Sequence, residues 1–173
     1  VGQLTYMGGL ALNSPHPDFG GWSGIWVSPD GSRLVALGDR GHWLTAQITF
    51  SDDGFLIGLS EAELIPMLDT DGIPVQPPWA DAESIAALNN GFLVAFERAH
   101  RYWWYPGTTA TELAKAVPSK FFHPQLMHDA PSNGGVEALT TLDDGNILAF
   151  AEELVGPNGN LGWISDDREI KHS

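Results

Sequence analysis

The 173-residue chain contains no cysteine, which excludes disulfides and thiolate metal sites. Positive charge is also scarce. Eight Lys and Arg stand against 22 Asp and Glu, a formal net charge of −14 at pH 7. That balance argues against nucleic acid or an anionic membrane surface as partner, since both reward basic residues. No apolar run approaches the length of a membrane span. Helix signals are few: Ser60 to Met67 and Thr111 to Val117 are the candidates, each a turn or two long. The first residue is Val1 and not Met, so the chain reads as processed or trimmed, with any signal peptide gone. What is abundant points elsewhere. Twenty Gly, twelve Pro and seven Trp, with 43% hydrophobic and 17% charged residues, suit many short strands joined by turns in an ordinary globular protein. The length is enough for a sizeable core in a single domain over residues 1–173, or in part of a larger one.

Self-similarity organises the chain. "SGIWVSPDGSRLVALGDRGHWLTAQI" from Ser23, "ESIAALNNGFLVAFERAHRYWWYP" from Glu83 and "EALTTLDDGNILAFAEE" from Glu137 align without forcing. In each, a turn glycine follows eight residues after the first position, at Gly31, Gly91 and Gly145. The dipeptides Asp30-Gly31, Asn90-Gly91 and Asp144-Gly145 are strong hairpin signals, because Gly, Asn and Asp accept positive φ at low cost. The repeats span about 19–68, 79–117 and 133–166. Continuing strands and turns predict four antiparallel strands per repeat, which is the content of a propeller blade. The expected fold is therefore all-β, with about three blades. Propellers close with about four to eight blades, so three predict an incomplete ring, or half of a ring that a homodimer completes. The opening "GQLTYMGGLALN" is a candidate extra strand, and the tail "SDDREIKHS" does not read as a fourth repeat.

A hairpin returns its end to the level of its start, so acidic residues flanking the repeats should share one open end. Asp39, Glu83, Glu97, Glu137 and Glu152 (or Glu153) are expected to form a ring of carboxylates at the mouth. Hard oxygen donors of this kind suit calcium. Beside them, Asp39-Arg40-Gly41-His42 and Glu97-Arg98-Ala99-His100 place an acid, an Arg and a His at identical spacing. Arg40, Arg98 and Arg101 are candidates to hold an anionic substrate group, with His42 or His100 giving or taking a proton alongside Glu83 and Glu137. Each residue has a plainer reading. The acids can bind backbone N–H groups of the next blade or pair with Arg40 or Arg98, and the histidines can pack on Trp43 or Tyr102. The aromatic run Tyr102 to Tyr105 suits packing on alternate faces of a strand better than a sugar platform. Asp69 to Gly72 lacks the later ligands of an EF-hand and reads as a turn. Ser23 heads the first repeat, where as a nucleophile it would need His42 as base. No Gly-x-Ser-x-Gly elbow, His-Glu-x-x-His pair or phosphate loop is present.

"FGGWSGIWVSPDGSRLVALGDRGHW", "DAESIAALNNGFLVAFERAHRYWWYP" and "NGGVEALTTLDDGNILAFAEE" resemble the phytase-like propeller family described as esterase-like activity of phytase. The likeness covers most of residues 5–153. It implies a β-propeller, usually bacterial and often exported to the periplasm or secreted. It also implies ester or phosphoester hydrolysis of a small-molecule substrate, with calcium as cofactor. The competing expectation is a noncatalytic propeller that binds a small ligand or a protein partner.

Overall fold

Short apolar runs become strands here because residues with positive φ punctuate them. The computed structural model describes residues 2–165, so the tail beyond Ser165 lies outside the described residues. Strands β1 (Trp22–Val27), β2 (Arg33–Gly38), β3 (His42–Phe50) and β4 (Leu56–Pro66) pair in sequence order as one antiparallel sheet. Strands β5 (Ala82–Leu88), β6 (Gly91–Phe96), β7 (Arg101–Pro106) and β8 (Ser119–Phe121) repeat that meander. Strands β9 (Val136–Thr141), β10 (Ile147–Gly156) and β11 (Gly159–Ser165) give a third sheet, of three strands among the described residues. The protein is all-β, and its three blade-like sheets form part of a propeller.

The first and third inner hairpins turn through Gly31 (φ 74°) and Gly145 (φ 86°). The second turns one residue earlier than expected. Asn89 (φ 46°) and Asn90 (φ 56°) form its two-residue loop, and Leu88 pairs with Gly91. Gly91 instead opens β6, where a Cβ would fall 2.2 Å from the Tyr105 carbonyl oxygen.

The middle sheet is buried on both faces, which is why "GFLVAF" in β6 reads as a continuous apolar run. Phe92, Val94 and Phe96 pack towards Val35, Leu37 and Trp43 of the first sheet. Leu93 and Ala95 pack towards Val136, Leu139 and Ile147 of the third. Strand β7 alternates in the same way, with Trp103 and Tyr105 on one side and Tyr102 and Trp104 on the other. The first strands of the three sheets lie side by side. A Cβ on Gly24 of β1 would come within 3.0 Å of Ile85 Cγ2 on β5. From β5, Ser84 Oγ donates to the Val136 carbonyl of β9 at 2.7 Å, and Thr141 Oγ1 of β9 donates to the Ala87 carbonyl.

Two elements differ from expectation. Ser60 to Met67 is not helical, because most of it continues β4: Leu64 pairs with Leu44 and Ile65 with Trp43. Cross-strand burial of Ile65 outweighs the helix propensity of the Glu and Ala around it. The opening segment forms no strand, and a bond from the Leu56 N–H to the Met7 carbonyl ties it to the first sheet. The second helix candidate survives in part as α1 (Ala110–Leu113). Thr109 caps it, and Glu112 reaches back to the Thr109 backbone N–H at 3.0 Å. A helix this short depends on such a box, so Thr109→Ala is expected to cost about 1 kcal/mol in urea unfolding.

Candidate functional site

The acidic residues are aimed by a backbone irregularity that all three sheets share. Pairing of the first two strands skips one residue at Ser23, at Glu83 and at Glu137. A bulge there turns the side chain off the regular alternation of the strand. A hydrogen bond then closes each hairpin. The backbone N–H of Asp39 donates to Gly21 O, that of Glu97 to Asp81 O, and that of Glu152 to Gly135 O. Six positions are thereby held at the same end of three hairpins: Ser23, Glu83 and Glu137 by bulges, and Asp39, Glu97 and Glu152 by closing bonds.

Within this mouth, ligand oxygens of Asp81, Glu83 and Glu97 all lie within 4.8 Å of one another, as do those of Glu97, Glu137 and Glu152. Glu97 belongs to both groups and is 3% exposed. Its Oε1 accepts the backbone N–H of Gly135 at 2.6 Å, a bond from the second blade to the third. Burial pushes the Glu83 carboxyl up to about 7, with the Glu137 carboxylate adding to the rise and a bond from Ser23 opposing it. Glu137 is raised as well, first by burial and then by Glu152, Glu97 and Asp81. Ser23 is therefore a partner of Glu83, whereas His42 is engaged elsewhere.

Asp39 stands outside both three-carboxylate groups. It lines a cavity of about 280 Å³ with Arg40, Pro77, Pro78, Asp81 and Arg98. Burial raises its pKa, against the neighbouring Arg40. Arg98, held at φ 60°, donates from Nε to Asp81 at 2.5 Å and from a terminal nitrogen to Asn133 at 3.1 Å. Arg40 is half exposed, 3.9 Å from Asp39, and donates to the Pro17 carbonyl. Arg101 does not line that cavity; its guanidinium stacks over Phe96 and Trp103.

The two histidines are not structural equivalents, despite their equal spacing. The β2–β3 turn holds residues 39–41, so His42 pairs with Gly38; the β6–β7 turn holds 97–100, so Arg101 pairs with Phe96. His42 therefore matches Arg101, and His100 is an extra turn residue. His42 Nδ1 lies 3.0 Å from the Arg40 carbonyl, and its Nε2 faces Asp18 at 4.0 Å. His100 Nε2 donates to the Pro131 carbonyl at 2.8 Å, since a carbonyl can only accept. Its Nδ1 is buried and without a hydrogen-bond partner. A Cβ on Gly135 would sit 3.2 Å from both that nitrogen and Glu97 Oε1, so glycine is needed for the blade to approach them.

Asp81 is the carboxylate that repeat comparison misses. Its equivalents in the other two closing bonds are Gly21 and Gly135. Its proximity in sequence to Glu83 is the available signal.

Blade-like antiparallel sheets meeting at an acidic mouth define a propeller-type protein with a carboxylate site. The chain belongs to the phytase-like family: the profile described as esterase-like activity of phytase matches residues 17–168. No curated protein matches it. Among the described residues, no helix is long and apolar enough to cross a membrane.

Proposed function

We propose that this chain forms part of a hydrolase that cleaves an ester or phosphoester at the carboxylate mouth, with calcium as its cofactor. The observation that carries the reading is the pair of three-carboxylate groups sharing the buried Glu97. An all-oxygen donor set fits a hard divalent cation, and mutual repulsion within it is what a cation relieves. Glu97, Glu137 and Glu152 would hold the ion, with Asp81 and Glu83 beside them. A cation there supplies Lewis acidity towards a carbonyl or phosphoryl oxygen.

The chain's own groups supply the rest. Glu83, raised to about 7 by burial in the metal-free protein, gives up its proton when the cation binds and, ionised, can take a proton from an attacking water. His100, its Nδ1 unpartnered beside Glu97, is the candidate to exchange a proton alongside Glu83. Arg40 and Arg98 present unused N–H donors to an anionic group in the cavity with Asp39. His42 turns towards Asp18 and has no part in this reading. Exposed Ile25 and Val27 on the first sheet, and Phe150 and Ile164 on the third, suit cover by a second copy or by further blades. The family likeness favours a periplasmic or secreted location.

One alternative has support: the Glu97–Gly135 bond and the Arg98–Asp81 pair also serve a noncatalytic propeller that binds a ligand. Turnover separates the two. Metal-stripped protein should hydrolyse members of an ester and phosphoester panel only after calcium is restored. Glu137→Gln should reduce turnover to background while the circular dichroism spectrum stays unchanged. Absence of turnover with calcium, magnesium and manganese alike would leave the binding reading.

A further inference from the structure

We infer that the cavity between the β4–β5 connection and the β6–β7 turn binds an aryl group carrying one hydrogen-bond acceptor. Resting on the hydrolase reading, this makes the substrate an aryl ester or aryl phosphoester. The cavity measures about 480 Å³, and Ile73, Pro74, Val75, Trp79, Arg101 and Trp103 are among its lining residues. That volume is in the range of small-molecule sites, which are typically apolar with a few placed polar groups. Val75 and Trp103 form a buried floor, at 7% and 9% exposure, whereas Ile73 and Trp79 stand at the rim, 59% and 53% exposed. Two large apolar side chains exposed at one cavity are surface that a flat apolar ligand would cover.

Arg101 fixes the chemistry further. Its guanidinium lies 4.0 Å from the centroid of Phe96 and 4.3 Å from that of Trp103. It donates to the Ala99 carbonyl at 3.0 Å and to the Trp79 carbonyl at 2.5 Å. These bonds tie the two loops that form the cavity and hold the cation as a rigid plate. A guanidinium has five N–H donors, so some stay available for an acceptor on the ligand. Arg101 is the only basic residue among those lining the cavity, and Asp69 lines it too. A single cation beside a carboxylate disfavours a cluster of phosphates, while the indoles and guanidinium favour a ring. The cavity also adjoins the mouth. Trp79 precedes Asp81 by two residues, and Ala99 follows Glu97 by two, a chain reach of roughly 7 Å in each case.

The probe is 2-naphthoate, followed by saturation-transfer NMR on the metal-stripped protein so that the cation plays no part. Binding is expected, weakened about tenfold by Trp79→Ala and by Ile73→Ser. Both side chains are exposed, so neither variant threatens the fold. No detectable binding, or binding insensitive to both cavity variants, overturns the inference. If naphthoate binds at Trp79 but neither naphthyl acetate nor naphthyl phosphate is turned over with calcium present, the cavity stands and the hydrolase reading falls.

Discussion

Phe92→Ala is expected to lower the unfolding free energy by about 3–5 kcal/mol, measured by urea denaturation. Phe92 is fully buried on β6, the strand that the first and third sheets enclose. Its ring meets Trp26 edge-on at 5.1 Å and Trp43 at 5.9 Å, both from the first sheet. Trp43 cannot swing into the space, because it is itself fully buried and also packs against Tyr105 at 5.2 Å. The cavity would therefore persist, adding its own cost to the lost transfer energy. Leu93→Ala, on the opposite face of the same strand, should cost about 2–5 kcal/mol by emptying the junction with the third sheet. Phe150→Ala is the control: 47% exposed on β10, it should cost less than about 1 kcal/mol. Comparable losses at Phe92 and Phe150 would mean that the first two sheets do not pack through β6.

The hairpins were readable because two local signals coincide in them, a turn residue that tolerates positive φ and apolar runs of strand length. Burial on both sides made the middle copy the clearest. β4 was less readable: "SEAELIP" has helix-favouring residues, and what makes it a strand is its pairing with β3, a contact between segments. The acidic mouth followed from hairpin geometry, but the bulges at Ser23, Glu83 and Glu137 that aim it depend on strand register. Equal spacing misled at the histidines, because one added turn residue moves His100 out of the register that His42 occupies. Asp81 escaped for the opposite reason. Looking for what recurs hides a carboxylate that replaces glycine in one copy alone. Bonds across blades, such as Gly135 N–H to Glu97, have no local signature.

Raising the pH from about 4.5 to about 7 is expected to destabilise the metal-stripped protein, and calcium should reverse the loss. The Glu83 carboxyl titrates near 4.5 when unfolded and near 7 when folded, so between those values the folded state holds a proton that the unfolded state has released. Unfolding stability then falls as pH rises across that window, with the full penalty present above about pH 7. Glu137 and Asp39, also raised by burial, act in the same direction. Asp30, lowered to about 2 by its bonds to Ser28 and Ser32, contributes below the window and does not mask it. At about 1.4 kcal/mol per pH unit the Glu83 shift alone would reach roughly 3 kcal/mol; partial solvent exposure reduces this to about 1–2 kcal/mol. Glu83→Gln should flatten the slope and make the variant the more stable protein at about pH 8. A cation that binds only the folded, ionised cluster adds about 2.7 kcal/mol at a hundredfold excess over its Kd. Because protons compete for the same oxygens, the rise in Tm on adding calcium should be largest above about pH 7 and shrink as the pH falls towards about 4.5. A calcium-induced rise of equal size at both ends of that range would place the ion away from these carboxylates. A pH slope that persists without any response to calcium would leave the cluster as a structural tie between blades.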